Sequence, residues 1–331
     1  MAEKLHLTLA CGDYESIRAL KEGTVQPDGI ELTVLTDMDS STRHWRVSRY
    51  REFDVAEQSC SSYLLAKDKG EADDLTAIPV FLHRRFRHGF VFINANKGIK
   101  EPKDLIGKKV GLKNWQATAL VWIRGTLQDE YNVPFTDIEW HAERDEDVPF
   151  DHPKGLKLLR LPKGKLVEEM LTEGELDAVI HPDILAPLLD GDTRVKRLFD
   201  DPKAVELDYF RRTGIFPIMH TTVIKQEIVD KHPWVPMNMM VALEKSKQVA
   251  YERMNNPRIV PLAFFRDAWE EQLTIDPDLW VYGLNDTNRN NVGTLARYSQ
   301  EQGMIKKMPD VDSLFHETVH GDQWTLARSR G

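Results

Sequence analysis

Two kinds of reactive side chain stand together in the segment LHRRFRHG. Three arginines, Arg84, Arg85 and Arg87, lie between His83 and His88. A guanidinium group binds a planar carboxylate through two parallel hydrogen bonds, so this segment suits a dicarboxylate ligand. We expect at least one of the arginines to face that ligand. The alternative is a solvated edge strand, in which alternate arginines face water.

Two further histidines belong to predicted strands. In LDAVIHPD, the apolar run from Leu176 to Ile180 predicts a short buried strand, and Pro182 stops it beside His181. His220 lies on a later predicted strand, in FPIMHTT. Histidine titrates near neutral pH and can donate or accept a proton in catalysis. We therefore predict proton transfer at His181, held by Asp183 or a nearby backbone group, with the other candidates being His83, His88 and His220. A structural role is the alternative for each.

Several other polar residues follow predicted strands, in the segments CGDYES, EQSCSSY, NWQAT and HPD. Ligands of α/β sheets bind at the carboxyl ends of strands and at helix N-termini. NWQAT could instead be a plain helix start, Trp115 could fill the core, and Glu57 could pair with an arginine. The predicted substrate-binding residues are Asp13, Glu57, Ser59, Ser61, Arg84, Arg85, Arg87, Trp115, Gln116, Thr118 and Asp183.

The elements that must position these residues alternate between strand and helix patterns, which predicts an α/β fold. Predicted strands near 90–94 and 216–222 form two crossovers between two lobes, with a ligand cleft between the lobes. We expect a discontinuous first lobe (1–93 plus 215–331), to which the mainly helical C-terminal part belongs, and a second lobe (94–214). The strand that ends at His181 is predicted to be the last strand of the second lobe.

Composition limits the function classes. The chain has 331 residues and a formal net charge of −9, which argues against a broad nucleic-acid surface. Cys11 and Cys60 are too few for a disulfide scaffold, and no apolar run is long enough for a transmembrane helix. The N-terminus lacks the pattern of a signal peptide, so we expect a cytoplasmic protein. A homodimer is a further expectation, without an interface signal in the sequence.

Known signatures of catalysis are missing: there is no GxSxG elbow, P-loop or GxGxxG turn after a strand. A metal site built from residues such as His83, His181, Asp183 and His220 stays open, because these are suitable ligand types without a specific spacing. We predict no bound metal and no organic cofactor.

Three long segments carry a family resemblance. DLIGKKVGLKNWQATALVWIRGTLQDEYNV, GELDAVI and YGLNDTNRNNVGTLARYSQEQGMI resemble type II periplasmic solute-binding proteins, a two-lobed fold with a central interlobe cleft. More narrowly, IPVFLHRRFRHGFVFIN, NWQATALVWIRGTLQDEYNV and YGLNDTNRNNVGTLARYSQEQG resemble 4,5-dihydroxyphthalate decarboxylases, a cytoplasmic branch of that fold.

The narrower resemblance implies a carboxy-lyase that converts 4,5-dihydroxyphthalate to protocatechuate and carbon dioxide. Each carboxylate of that substrate is para to a phenol oxygen, so the ring itself serves as the electron sink and no cofactor is needed. The reaction needs a base near the phenol, an acid near the carboxylated carbon and an anchor for the second carboxylate. Two alternatives share the fold: a non-catalytic binding protein for a carboxylate anion, and a thiamine-precursor type enzyme that uses its own histidine as reagent.

Overall fold

A computed structural model describes residues 3–320 of the chain. Its strands are β1 (Leu5–Ala10), β2 (Ile30–Leu35), β3 (Val55–Ser59), β4 (Leu75–Ile78), β5 (Val91–Asn94), β6 (Lys109–Leu112), β7 (Glu139–Ala142), β8 (Leu158–Arg160), β9 (Ala178–Ile180), β10 (Val195–Arg197) and β11 (His220–Lys225). Its α-helices are α1 (Glu15–Lys21), α2 (Ser40–Tyr50), α3 (Cys60–Asp68), α4 (Thr118–Tyr131), α5 (Val167–Glu173), α6 (Ala186–Leu189), α7 (Pro202–Thr213), α8 (Gln226–Lys231), α9 (Val235–Met254), α10 (Phe265–Ile275) and α11 (Asp286–Glu301).

The strands form two mixed sheets. The first sheet has the order β2-β1-β3-β11-β4, in which β11 runs antiparallel to both of its neighbours. The second sheet has the order β10-β5-β9-β6-β7-β8, in which β5 runs antiparallel to β9 and β10. The α/β prediction is therefore confirmed. The chain leaves the first sheet after β4 and returns to it at β11, and the strands between these two points build the second sheet.

Local chemistry explains several of these elements. β9 is buried at all three residues, as a strand covered on both faces requires. Gly174 ends α5 in the left-handed conformation, with φ of 78°, where glycine has no Cβ penalty. The Asp39 side chain accepts a hydrogen bond from the Thr42 amide at 3.0 Å and so caps the N-terminus of α2.

Four details differ from the sequence predictions. The strand at 91–94 pairs with β9 and β10, so it belongs to the second sheet and does not join the two sheets. β9 is followed by β10 in the same sheet, so His181 does not follow the last strand of that sheet. The predicted strand from Phe216 begins only at His220. Helix α2 was not predicted at all, because few of its buried side chains are apolar.

The C-terminal part is mainly helical as far as residue 320, as the sequence predicts; residues 321–331 lie outside the described part of the chain. Helix α9 packs against α1, and α11 packs against α3 and α4. Among the helices within residues 3–320, none has the length and apolar composition needed to cross a bilayer.

Candidate active site

A fully buried carboxylate lies at the centre of the site. Glu57, on β3, has an exposed fraction of 0%. Its Oε2 accepts hydrogen bonds from the Gly12 amide at 2.8 Å and from an Arg43 nitrogen at 2.6 Å. Its Oε1 accepts from the Tyr14 hydroxyl at 2.8 Å and lies 2.7 Å from Nδ1 of His220. A buried charge requires this degree of pairing, and the carboxylate is therefore fixed in place.

Strand pairing explains how Glu57 meets His220. β3 and β11 are antiparallel neighbours, with Ser59 opposite His220 and Thr222 opposite Glu57. Glu57 and His220 are thus diagonal neighbours on one face of the sheet, a separation that long side chains bridge. Because Glu57 occupies Nδ1, the Nε2 atom of His220 is the ring nitrogen left for a ligand.

Two more imidazoles pack on His220. The ring of His44, from α2, meets it edge to face with centroids 4.5 Å apart. The ring of His83 meets it in the same manner at 4.9 Å. Tyr14 lies 6.0 Å from His83 and also bonds to Glu57. We call Tyr14, Glu57 and the three imidazoles the histidine cluster.

Gly12 is required beside the cluster, because a Cβ atom at this position would lie 2.4 Å from the Tyr14 ring. Any larger residue would push the Tyr14 phenol away from Glu57.

The cluster holds its members in different protonation states. Burial alone would raise the pKa of Glu57, but the charge and hydrogen bond of His220 and the charge of Arg43 lower it well below its ordinary value. Burial, together with the charges of His220 and Arg87, lowers the pKa of His83 to about 2. Burial and the charge of His220 also lower the pKa of His44 far below its ordinary value. The site therefore contains an ionised carboxylate beside His220, and two neutral imidazoles.

A cavity of about 1240 Å³ opens beside the cluster. Tyr14 and His83 form part of its wall, together with Asp13 and Arg85 from the predicted site. Aromatic side chains line much of the rest: Phe86 and Phe216 from the segments 79–90 and 214–219, which connect the two sheets, Phe265 and Trp269 from α10, and Trp280 after that helix. The lining is mostly apolar and carries basic and acidic side chains, so an aromatic ring with anionic substituents finds both apolar contacts and cations there.

Two comparisons with curated proteins show the family. The chain is 34% identical over 322 residues to a 4,5-dihydroxyphthalate decarboxylase of Comamonas testosteroni, which covers 95% of this chain and 97% of the relative. The chain belongs to the 4,5-dihydroxyphthalate decarboxylase family. A second decarboxylase of that name, from Pseudomonas putida, is 33% identical over 214 residues, or 63% of this chain and 82% of the relative. No protein-family profile matches the chain.

Solved structures support the predicted fold of this decarboxylase-family member. The periplasmic aliphatic sulphonate binding protein SsuA from Escherichia coli aligns with a TM-score of 0.57 at 12% identity, over 96% of this chain and 99% of that one. The desulfurization enzyme DSZB aligns with a TM-score of 0.51 at 13% identity, over 94% and 96% of the two chains. These likenesses confirm the type II periplasmic-binding-protein-like fold.

The three arginines of the segment HRRFRH have different environments. Arg84 is buried and donates hydrogen bonds to the main-chain oxygens of Phe216 and Val281 and to the Asn288 side chain, so it ties the segments 79–90 and 214–219 to the C-terminal part. Arg87 is buried and donates to the Pro182 oxygen at 2.7 Å. Arg85 is exposed, lies over the Phe90 ring and lines the cavity. The solvated-strand alternative is therefore wrong for Arg84 and Arg87.

His181 lies on the second sheet, directly after β9. Its Nδ1 is 2.9 Å from the Asp183 main-chain oxygen, and the Asp183 amide lies 3.1 Å from the same ring nitrogen. Asp183 thus contacts His181 through its backbone, and its own side chain is exposed. Burial lowers the pKa of His181. Unlike His220, His181 contacts no carboxylate side chain within the described part of the chain.

The polar residues of NWQAT and EQSCSSY join the two sheets. The Thr118 hydroxyl lies 2.9 Å from the Ser59 hydroxyl and accepts from the Ser61 amide at 3.1 Å. Gln116 is buried against Glu146 and the Ser62 hydroxyl, at 2.9 and 3.0 Å. The N-termini of α3 and α4 therefore face each other through neutral hydroxyl groups.

Two predicted residues, His88 and Trp115, lie away from the histidine cluster, and a third, Asp13, is next to Tyr14 in the chain but pairs with a lysine. His88 is buried among Tyr131, Phe199 and Tyr209, and burial lowers its pKa to about 4. Trp115 is fully buried, and its indole stacks on Arg124 at 3.8 Å, so it fills the core. Asp13 is exposed at the cavity wall and pairs with Lys21 at 2.9 Å. We leave His88 and Trp115 out of the proposed site.

Sequence reasoning missed Tyr14, Arg43 and His44. Tyr14 lies in the quoted segment CGDYES, but a phenol gives no positional signal there. Arg43 and His44 lie on α2, and the only sequence signal for that helix is Asp39, a residue type that often caps a helix N-terminus. Within residues 3–320, no group of three His, Cys, Asp or Glu side chains has the arrangement of a metal site.

Proposed function

We propose that this chain decarboxylates 4,5-dihydroxyphthalate to protocatechuate and carbon dioxide, with His220 as the proton donor. The observation that carries the proposal is the buried pair of Glu57 and His220, 2.7 Å apart, whose neighbours His83 and Tyr14 form part of the cavity wall. The family membership supports the same reaction, since both curated relatives carry the name of this decarboxylase.

The chemistry follows from the ionised carboxylate. Glu57 is held ionised by Arg43 and His220, and its carboxylate on Nδ1 fixes the orientation of the His220 ring. His220 can then donate its Nε2 proton to the ring carbon that carries the leaving carboxylate. The carbon–carbon bond to that carboxylate breaks, its electron pair restores the aromatic ring, and carbon dioxide leaves.

His83 is proposed to face the phenol as a hydrogen-bond acceptor. Its pKa of about 2 keeps the imidazole neutral at pH 7 and makes it a weak base, so a ring nitrogen can accept a hydrogen bond from a ligand hydroxyl. His83 lines the cavity and packs on His220, so the acceptor and the proton donor belong to one cluster.

Arg85 supports capture of a dianion. It is exposed at the cavity wall, and its side chain has no carboxylate partner within residues 3–320. A free guanidinium near the mouth of a cavity raises the local concentration of anions.

The division into lobes 1–93 plus 215–331 and 94–214, the homodimer and the cytoplasmic location belong to this proposal. A small aromatic dicarboxylate is the partner molecule implied by the names of the relatives.

The direct test incubates the pure protein with 4,5-dihydroxyphthalate and measures carbon dioxide and protocatechuate together. We expect equal amounts of both, and their loss in a folded His220→Asn variant. Saturable binding of the phthalate with no carbon dioxide released would instead support the binding-protein alternative.

A further inference from the structure

Helix α10 turns its mostly apolar face toward the cavity. The residues of that face are spaced i, i+3, i+4, i+7 and i+10, and all five line the cavity: Phe265, Ala268, Trp269, Gln272 and Ile275. Trp269 is the only residue of α10 that is buried. The apolar face of a helix normally packs on the protein interior, and tertiary packing supplies most of its stability. This face borders an open cavity instead.

Contacts with α9 hold α10 in place. The Trp269 indole donates a hydrogen bond to the Asn255 side chain at 3.2 Å. The Trp269 ring also meets Tyr251 edge to face, with centroids 5.4 Å apart. Tyr251 is on α9, and Asn255 follows the last residue of that helix. These contacts attach α10 to the end of α9 and leave the rest of its inner face free.

The chain on either side of α10 is irregular. The segment 255–264 joins α9 to α10, the segment 276–285 joins α10 to α11, and neither contains a helix or a strand. Leu262 and Phe264, just before α10, are 67% and 79% exposed, so they do not pack on the protein. Residues in loops and at element ends absorb the dihedral changes of a hinge motion. Helix α10 can therefore shift as a unit.

A single ion pair connects α10 with α7 within residues 3–320. Lys203 of α7 and Glu271 of α10 both line the cavity, and their charged atoms lie 2.6 Å apart. The two side chains are 65% and 46% exposed, so the pair lies at the surface. An exposed ion pair contributes little stability and is weakened by salt. This connection between the two helices can therefore open readily.

We propose that α10 is a lid that closes on the aromatic ring of a ligand in the cavity, held shut in part by the Lys203–Glu271 ion pair. A bound ring covers the apolar face that the cavity leaves open, so the ligand favours the closed position. The inference rests on the proposed function only for the identity of the ligand, an aromatic acid such as protocatechuate.

The first test reverses the charges of the ion pair. Trp269 and Trp280 line the cavity, so stopped-flow tryptophan fluorescence can follow binding of protocatechuate. We expect Lys203→Glu and Glu271→Lys each to raise the dissociation rate about 3- to 10-fold, and the double variant to return it to within about twofold of wild type. A direct effect of charge on an anionic ligand would have opposite signs in the two single variants. Opposite signs, or a double variant that stays fast, would overturn the role of the pair.

The second test fixes the lid covalently. A short bis-maleimide joins the thiols of a Lys203→Cys/Glu271→Cys double variant, and the native Cys11 and Cys60 are buried and so protected from the reagent. We expect the link to slow association of protocatechuate at least about tenfold. Unchanged association in the linked protein would show that ligands enter without movement of α10, and would overturn the lid.

One ion pair within α10 provides both matched controls. Arg266 and Glu270 are exposed, lie 2.6 Å apart and belong to the same helix. Arg266→Glu makes the same charge change as Lys203→Glu, and the linked Arg266→Cys/Glu270→Cys variant carries the same reagent without joining two helices. We expect both to keep the rate constants within about twofold of wild type. Circular dichroism and thermal unfolding confirm that each variant is folded.

The lid and the decarboxylation can fail separately, because the lid is measured by binding and not by turnover. A wild-type protein that binds protocatechuate under control of the lid and releases no carbon dioxide from the phthalate refutes the decarboxylation alone. Carbon dioxide release that is unaffected by the link between α7 and α10 refutes the lid alone. A wild-type protein that does not bind protocatechuate overturns the lid as proposed, because its ligand is then wrong.

Discussion

The guanidinium of Arg87 lies 2.7 Å from the main-chain oxygen of Pro182, and so the segment 79–90, which leads from the first sheet to the second, holds the turn that carries His181. The same guanidinium lies 4.9 Å from the centre of the Phe90 ring. Because Arg87 is buried, these contacts do not compete with water.

We expect Arg87→Ala to lower the free energy of unfolding by about 1.5–3 kcal/mol, the cost of a lost hydrogen bond to a charged group. Urea unfolding measures this change. Arg85→Ala is the matched control, because Arg85 is exposed and should leave stability within about 0.5 kcal/mol. Equal stabilities for the two variants would contradict the structural role of Arg87.

Arg85 should act on substrate capture. We expect Arg85→Ala to raise KM about 3- to 30-fold with little change in kcat, because it removes a cation from the cavity wall and leaves the histidine cluster intact. Initial rates at two salt concentrations provide the measurement, and the difference between variant and wild type should shrink at high salt. A fall in kcat alone would assign Arg85 to the chemical step instead.

Turnover measurements should distinguish the roles of His220 and His181. We expect His220→Asn to reduce kcat about 100- to 10,000-fold, the usual contribution of general acid–base catalysis, and His181→Asn to reduce it much less. The reason is that only His220 of the two contacts a carboxylate side chain, Glu57, within residues 3–320. Rates of carbon dioxide release under saturating substrate decide between them. The larger loss in His181→Asn would return proton transfer to His181, the choice made from the sequence.

Glu57 should matter for both activity and stability. Glu57→Gln leaves Arg43 buried without its counter-ion, and breaking a buried ion pair costs about 3–5 kcal/mol. We also expect turnover to fall by at least about 100-fold, since His220 loses the carboxylate that orients its ring. Glu52→Gln is the control, because the ion pair of Glu52 with Arg46 is near the surface. Unchanged unfolding and turnover in Glu57→Gln would refute the central place of this carboxylate.

Stability should fall as the pH falls below about 6.5. His83 has a folded-state pKa of about 2, so between that value and the ordinary value near 6.5 the unfolded chain binds the proton and the folded chain does not. Glu57 acts in the same direction at lower pH, because its pKa is also lowered in the folded protein. The stabilisation that the ionised Glu57 carboxylate provides is full above about pH 4.3 and is lost as the pH falls toward the folded-state pKa of Glu57.

The measurement for this prediction is urea unfolding at pH 7.5 and pH 5. We expect His83→Gln to remove about 1–2 kcal/mol of the difference between the two pH values, since each pH unit of differential protonation is worth about 1.4 kcal/mol. His6→Gln is the control, because His6 is exposed on β1. An unchanged difference in His83→Gln would mean that His83 is not neutral in the folded protein.

Hydrophobic periodicity was sufficient to predict much of the fold. The bounds of β1 and β6 are those predicted, because β1 alternates apolar and polar residues and β6 is a short, mostly apolar segment after Lys109. Helix α2 was missed because its buried face consists of Arg43, His44 and Val47, so the usual apolar stripe is absent. The Asp39 cap alone was too local a signal.

The site was predictable residue by residue, but its assembly was not. Glu57 and His220 were both candidates, yet they are 163 positions apart and meet only through the pairing of β3 with β11. His88 and Trp115 have the right chemistry in the sequence and are buried elsewhere by aromatic packing. Residue type cannot distinguish a cleft-facing imidazole from one packed among aromatic rings.

The volume of the cavity has a consequence for engineering. At about 1240 Å³ it exceeds the range of about 300–1,000 Å³ that is usual for small-molecule sites, and a single substituted benzene ring fills only a part of it. Selection of the natural substrate must therefore come from polar groups of the wall, such as His83 and Arg85, rather than from the fit of the walls around the ring. Bulkier aryl acids have room beside Phe265 and Trp269 on α10 without any substitution. We therefore expect the cavity to admit phenolic acids larger than the phthalate.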